Sequence, residues 1–303
     1  MTAACLFAVN GTVSKVILRS SGLPSLRLTE ARLTGAALGL LAALALARRN
    51  ALRIRRDELE FLAVFGVGGV ALTQWFYFVA IERLAIGIAL VLQYLAPLLV
   101  ALWTRFAMHR PVRRRVWAAL ALALAGLSLI VEIWQGIELA TAGLAAALGA
   151  AVTFALYILL AERGVRARDA FSLSAFGFLF GALLFAVIQP WWSFPWHTVH
   201  ERVSLLGNLA GTDAPVWGLL LWTIVLGTIA PVALFVSALR YVPAPRASVV
   251  AMLEPVVATL VAWAWLDESL AAVQLAGGAV VLIAIVLAQT SREEPAMPPP
   301  PAP

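Results

Sequence analysis

The sequence has little charge, a single cysteine and only three histidines. Charged residues make up 13% of its 303 residues, against about 25% in an ordinary soluble domain. The lone Cys5 excludes a disulfide framework and a paired-cysteine metal site. The sequence also lacks a GxSxG elbow, an aspartate-rich metal motif and a Walker motif. These absences argue against a soluble domain, an intramembrane enzyme, a metal or other cofactor, and direct use of ATP.

Apolar residues make up 62% of the chain and are collected into long runs. A run of about 20 such residues spans the hydrocarbon core of a bilayer. Ten runs approach or reach that length, at residues 1–19, 25–47, 58–80, 84–107, 115–134, 141–161, 170–190, 215–238, 246–266 and 270–289. The sequence therefore predicts an all-α polytopic protein of the cell inner (plasma) membrane, with ten transmembrane helices in contact with lipid.

Basic residues are concentrated in alternate connections between the runs. The loops after the second, fourth, sixth and eighth runs, together with the C-terminal tail, carry Arg48, Arg49, Arg53, Arg55, Arg56, Arg105, Arg110, Arg113, Arg114, Arg115, Arg163, Arg166, Arg168, Arg240, Arg246 and Arg292. Loops rich in arginine face the cytoplasm, so both termini are predicted to be cytoplasmic. This explanation of the net charge of +6 leaves no reason to predict a nucleic-acid partner.

The two halves of the chain resemble each other. A shift of 158 positions lays residues 85–108 on residues 243–266 without a gap and superposes Pro97 on Pro255, and Gly69 on Gly227. The basic loop at residues 109–115 then aligns with the acidic segment at residues 267–273, as expected when five crossings invert the second copy. The sequence predicts two inverted five-helix repeats, at residues 1–137 and 138–290, followed by a disordered proline-rich tail at 291–303.

Glu254 and Pro255 interrupt the ninth run near its middle. A carboxylate in hydrocarbon is costly and is usually retained for a function. Proline lacks the N–H that would bond the carbonyl four residues earlier, so Pro255 should free the carbonyl of Ala251 and kink the helix. Paired interruptions of this kind mark the binding site of many transporters. We therefore predict that Pro97 and Pro255 are hinges and that Glu254 lies in a solute site.

Several motifs are similar to those of a known transporter family. FAVNGTVSK opens the first repeat, Arg32 lies in the second run, and MLEPVVA is followed by WLDESL. In this order and spacing they resemble the EamA family of the drug/metabolite transporter superfamily. The resemblance covers nearly the whole chain. It implies a ten-helix inverted-repeat carrier with a central cavity, often exporting amino acids, metabolites or drugs.

Other polar side chains within the runs are candidates for contact with the solute. They are Asn10, Lys15, Arg32, Gln74, Tyr77, Gln93 and Tyr157. Lys15 and Arg32 could hold a substrate carboxylate or pair with Glu254, or extend to the outer surface instead. The uncharged members could equally form hydrogen bonds between helices, and Glu254 could be a protonated structural carboxyl.

The function predicted from these features is secondary transport of a small organic solute, most simply export by alternating access. Proton coupling through Glu254 and assembly as a homodimer are both compatible with the sequence. A non-transporting membrane scaffold or a channel subunit is the main alternative, and an intramembrane enzyme is a weaker one. The sequence does not identify the solute.

Overall fold

The computed structural model describes residues 1–81, 83–84, 86–132, 141–267 and 271–290. Three predictions fall outside these residues: the repeat boundary at 137/138, the proline-rich tail, and the acidic residue Glu268.

We group the helices of the described residues into ten segments, α1 to α10. The unbroken segments are α1 (Thr2–Ser20), α2 (Ser25–Ala47), α5 (Arg114–Ile130), α6 (Thr141–Ala167), α7 (Ala170–Ile188) and α10 (Ala272–Gln289). The interrupted segments are α3 (Arg56–Ala63, Val64–Ala71 and Leu72–Ile81), α4 (Ile86–Gln93, Ala96–Leu102 and Trp103–Ala107), α8 (Val216–Ile224, Val225–Ile229 and Ala230–Ala238) and α9 (Ala244–Ala251 and Leu253–Leu266).

Eight of these segments are long and apolar enough to cross a membrane, whereas the sequence predicts ten such helices. The other two, α1 and α5, are also helical. The 19 residues of α1 include Asn10, Lys15 and Arg19, which lower its apolar character. The 17 described residues of α5 extend about 26 Å at 1.5 Å per residue, slightly less than the hydrocarbon thickness.

The interruptions of α4 and α9 occupy matching positions. The first piece of α9 begins and ends 158 positions after the first piece of α4. The first pieces end at Gln93 and Ala251, each four residues before a proline. These are the residues whose carbonyls lose their N–H partner, so both helices are interrupted where the prolines predict.

The interruptions of α3 and α8 are π-helical. Val64–Ala71 in α3 and Val225–Ile229 in α8 end 158 positions apart. Each contains a glycine that meets a helix of the other half: Gly69 lies against the backbone of Tyr157, and Gly227 lies against the side chain of Asn10. π-Helical turns are frequently found at functional sites.

Pairs of equivalent helices pack against each other. In the core, α2 packs on α7 and α5 packs on α10, while α1 lies against α8 and α9 and α6 lies against α3 and α4. The backbones of α5 and α10 approach closely, since a Cβ added at Gly126 would lie 2.7 Å from the carbonyl oxygen of Gly277. The GxxxG motif of α2 packs on α8, since Gly35 faces Ile224 and Gly39 faces Ile229.

The connection between α7 and α8 forms regular secondary structure over part of its length. It contains a short helix (Trp196–Val199) and an antiparallel hairpin of β1 (Arg202–Ser204) and β2 (Asp213–Pro215). The all-α description is therefore corrected by this two-stranded sheet. The hairpin lies beside the ends of α1 and α9, since Ser20 Oγ donates to Ser204 O at 3.1 Å and Trp265 Nε1 donates to Leu205 O at 3.0 Å.

Candidate functional site

Glu254 lies at the interruption of α9, where the sequence predicts the solute site. The helix stops at Ala251, turns at Met252 and resumes at Leu253, so Glu254 is in the first turn of the second piece. Its side chain is half-buried. A carboxylate in the first turn of a helix benefits from the unpaired N–H groups at that terminus. The broken helix thus supplies part of the stabilisation that an ionised carboxylate needs in an apolar helix.

Tyr94 joins Glu254 to the interruption of α4. The two residues between the pieces of α4 are Tyr94 and Leu95. Tyr94 is only 5% exposed, and its phenol lies close enough to the Glu254 carboxylate to interact with it electrostatically. Its ring meets Phe154 of α6 edge-on, with centroids 6.5 Å apart. The two broken helices therefore come close to each other at the points where each is interrupted.

Arg32 of α2 provides a positive charge close to this carboxylate. Its guanidinium interacts electrostatically with Glu254, and its Nε donates to Thr228 Oγ1 at 3.1 Å. Thr228 belongs to the π-helical turn of α8 and donates in turn to the carbonyl of Thr223 at 2.8 Å. The five-residue separation of these partners is the spacing of a π-helix, so the interruption of α8 orients the group that holds Arg32.

Asn10 reaches the same π-helical turn from α1. It is 5% exposed, and its side chain packs on Gly227, the residue before Thr228. Within the described part of the chain its Oδ1 has no hydrogen-bond partner. A buried amide oxygen without a partner is costly, and an N–H or O–H group of a solute would satisfy it.

Tyr157 of α6 corresponds to Asn10 where FALYI (residues 154–158) is aligned with FAVNG (residues 7–11), but its surroundings are different. Its ring stacks with Phe65, Phe154 and Phe235 at centroid distances of 5.5, 6.2 and 6.4 Å. Through Phe154 this stack touches the ring of Tyr94. Tyr157 thus belongs to an aromatic wall beside the charged residues.

The remaining predicted residues lie on neighbouring helices. Tyr77 of α3 is close enough to interact electrostatically with Glu254 and Tyr94. Gln74 is half-buried one turn earlier in α3, and the half-buried Gln93 ends the first piece of α4. Lys15 is half-buried on α1. We use the term charged centre for the four residues that the structure brings together, Arg32, Tyr77, Tyr94 and Glu254.

Two residues of this region were not predicted from the sequence. Tyr94 follows Gln93 and reads as one more aromatic residue in an apolar run, although it lies three residues before a helix-breaking proline. Thr228 follows Gly227, one of the glycines matched between the halves. In each case the signal was a position beside an interruption rather than a residue type.

The charged centre contains one basic and one acidic side chain, Arg32 and Glu254. Arg32 can bind a carboxylate, while Glu254 can bind an ammonium group or exchange a proton. Two phenols and the amide of Asn10 add neutral hydrogen-bonding groups. This chemistry suits recognition of a small polar or zwitterionic solute.

Comparison with known proteins gives consistent relatives over most of the chain. It is 29% identical to an uncharacterized transporter of Archaeoglobus fulgidus over 281 residues, covering 92% of this chain and 91% of the relative. It is 30% identical to the threonine/homoserine exporter RhtA of Escherichia coli over 268 residues, covering 85% and 81%. A solved crystal structure at 20% identity shares the fold, with a TM-score of 0.76 and coverage of 95% of this chain and 94% of that one.

The family comparison matches both halves of the chain. The EamA-like transporter family matches residues 1–132 and again residues 141–290. The family and the named relatives are transporters and not enzymes. With its apolar helices, this identifies a multi-pass membrane protein of transporter ancestry. The chain belongs to the EamA-like transporter family.

Proposed function

We propose that the protein is a secondary transporter that exports small organic solutes by alternating access around the charged centre. The observation that carries the proposal is the position of this centre. Glu254 and Tyr94 lie at the matched interruptions of α9 and α4, and Arg32 is held by the π-helical turn of α8. Interrupted helices offer places where segments can change direction, so a solute bound here would contact the elements that move.

The proposed architecture is ten transmembrane helices in two inverted repeats, residues 1–137 and 138–290. Two matches to one family, and helix interruptions at corresponding positions, support an internal duplication. Each repeat contains five helices, so the second copy would enter the membrane from the opposite side. If the two repeats exchanged their conformations, the site would open first to one side of the membrane and then to the other.

We propose that the protein lies in the inner (plasma) membrane with both termini in the cytoplasm. Arginine-rich loops meet at one end of the bundle, as expected for a cytoplasmic face. Arg168 donates to carbonyls of the loop after α2, and Arg110 Nη1 lies 4.0 Å from Glu162 Oε1 of α6.

Labelling of single cysteines with an impermeant reagent tests the proposed orientation. In a Cys5→Ala background, Asn50→Cys should react from the cytoplasm and Gly211→Cys from outside. Reaction of both from one side would contradict the arrangement.

We assign opposite roles to the two charged side chains of the site. Arg32 binds a carboxylate of the solute, and Glu254 binds its ammonium group or exchanges a proton that drives transport. Asn10 and Tyr77 offer neutral contacts, and Lys15, Gln74, Gln93 and Tyr157 complete the proposed lining. The relationship to RhtA makes threonine and homoserine the first solutes to test.

The decisive experiment is flux into proteoliposomes that contain the purified protein. A transporter gives saturable uptake and counterflow, whereas a channel subunit or a membrane scaffold does not show counterflow. Glu254→Gln keeps the size of the side chain and removes its charge. If Glu254 exchanges protons, the variant should still exchange solute but lose accumulation driven by a pH gradient. If Glu254 binds an amine, affinity for amines should fall while the pH dependence remains.

A matched control is Glu60→Gln, because Glu60 is an exposed carboxylate on α3. This variant should transport like the wild type. A Glu254→Gln variant with unchanged uptake, pH profile and affinity would remove Glu254 from the mechanism and leave it as a structural carboxyl.

A further inference from the structure

Arg27 clamps the first turn of α2 to the segment that follows α7. Its Nη1 donates to Glu30 Oε2 at 2.7 Å and to the carbonyls of Gln189 and Pro190 at 3.2 and 3.3 Å. Its Nη2 donates to Ser193 Oγ at 2.6 Å. The carboxylate that backs this arginine is fully buried, with 0% of Glu30 exposed. Glu30 is a buried acidic residue outside the charged centre.

Arg168 makes the equivalent clamp at the opposite end of the same two helices. It immediately precedes the N-cap of α7 and donates to the carbonyls of Ala51 and Arg53, beyond the end of α2, at 2.8 and 2.7 Å. Its Nη1 donates to Glu58 Oε2 at 2.7 Å, and its Nε donates to Ser172 Oγ at 2.6 Å. Most of this side chain is buried, with 11% exposed.

The two clamps follow one pattern. Each arginine lies at the start of one helix, binds two carbonyls after the end of the antiparallel partner, and is backed by a carboxylate. Backbone carbonyls beyond a helix end have no partner within the helix, and a guanidinium can bind several of them with its donors. Because α2 and α7 are antiparallel, one clamp closes the pair at each end.

The contact between α2 and α7 is also close between the clamps. Side chains of α2 and α7 belong to the same buried cluster, including Leu33, Leu40, Phe176 and Phe185. A Cβ added at Gly181 would meet Leu33 at 3.5 Å, an ordinary van der Waals distance. The seam between the helices is therefore packed along its length as well as tied at its ends.

We propose that α2 and α7 form a single rigid unit throughout transport, and that Arg27 and Arg168 are positioning residues that keep the seam closed at both membrane faces. Separation at the outer end would break the charge-assisted bonds of Arg27, which Glu30 holds in place from the same helix, to the carbonyls of Gln189 and Pro190 and to Ser193. Separation at the inner end would break the charge-assisted bonds of Arg168 to the carbonyls of Ala51 and Arg53. The solute would then pass beside this unit and not between its helices. The inference rests on the proposed transport function.

A consequence is that Arg32 belongs to the fixed unit, whereas Glu254 belongs to α9. The distance between these two charges would then change as α9 moves relative to α2. The rigid unit would supply a fixed positive charge against which the mobile carboxylate is positioned.

Cross-linking across the seam tests the proposal in proteoliposomes. In a Cys5→Ala background, Ala51→Cys with Ser172→Cys spans the inner end, since Ser172 Oγ donates to the carbonyl of Ala51 at 2.8 Å. Leu33→Cys with Gly181→Cys spans the middle. After treatment with a short, thiol-cleavable cross-linker, each pair should retain at least half the counterflow rate measured after reduction. The four single-cysteine variants are matched controls. Loss of more than half the rate, recovered on reduction, would overturn the proposal.

Two further measurements separate this proposal from transport itself. Arg27→Gln and Arg168→Gln should each lower the thermal unfolding midpoint by several degrees, whereas Arg56→Gln, which alters an exposed arginine, should not. Equal midpoints in all three variants would count against the clamps.

If the wild-type protein transports neither threonine nor homoserine, spin labels on the inner cysteine pair still report on the seam. The same distance between the two labels at acidic and alkaline pH would support a rigid unit, and two different distances would refute it.

Discussion

Replacement of Tyr94 by phenylalanine is the sharpest test of how the charged centre operates. The substitution removes one hydroxyl and leaves the ring that meets Phe154 edge-on. The lost interaction is that of a buried phenol with a carboxylate. A polar interaction with a charged group contributes about 1.5–3 kcal/mol, and about 1.4 kcal/mol corresponds to a tenfold change in rate. If Glu254 takes part in transport, Tyr94→Phe should therefore slow counterflow about tenfold or more.

The expected loss follows from the place of the hydroxyl beside the carboxylate. Without the hydroxyl, Glu254 loses a polar neighbour that helps to position it. The assay is solute counterflow in proteoliposomes. Tyr241→Phe is the control, because it removes a phenol oxygen from a side chain that is 83% exposed and outside the charged centre.

Two results would refute this reasoning. One is an unchanged counterflow rate in Tyr94→Phe, which would mean that the hydroxyl does not influence transport. The other is an equal loss in Tyr241→Phe, which would point to an effect unrelated to the charged centre.

Two other predictions concern the helix interruptions and the close contact between α5 and α10. Pro97→Ala and Pro255→Ala each restore an N–H donor, which favours a continuous helix by about 1 kcal/mol. Each substitution should therefore slow counterflow about fivefold, and wild-type rates in both variants would contradict a hinge role. Gly126→Ala forces a Cβ against the backbone of α10 and should cost about 1–3 kcal/mol, lowering the thermal midpoint by several degrees. Gly11→Ala, where the added Cβ meets nothing within 4 Å, is the control, and equal midpoints would exclude overpacking.

Features with a local cause were predictable from the sequence. Proline removes a specific hydrogen bond, so the ends of the first helical pieces at Gln93 and Ala251 follow from Pro97 and Pro255. A charge in an apolar run needs a partner, and this reasoning names Arg32 as a possible partner of Glu254, with which its guanidinium interacts electrostatically. The same reasoning applies to Glu30, three residues after Arg27 and inside a predicted span, but its role was not inferred.

Features that depend on distant contacts were not predictable. The π-helical turns of α3 and α8 form where Gly69 and Gly227 meet Tyr157 and Asn10, far away along the chain. Nothing in the local sequence distinguishes such a turn from regular helix. The proximity of Tyr94 to Glu254 also depends on how α4 and α9 cross, which the local sequence does not determine. The hairpin between α7 and α8 depends on its contacts with the ends of α1 and α9.

The matched helix interruptions surround residues that do not match, and this bears on the direction of transport. Glu254 corresponds to Ala96 at the 158-position shift, and Asn10 corresponds to Tyr157 where FAVNG is aligned with FALYI. If the two halves were identical in sequence, exchanging their conformations in the proposed mechanism would produce two states of equal free energy, and each would be populated half of the time. Because the carboxylate lies in one half only, the inward-facing and outward-facing states of that mechanism would differ in free energy even without solute. The empty protein would therefore rest facing one side of the membrane.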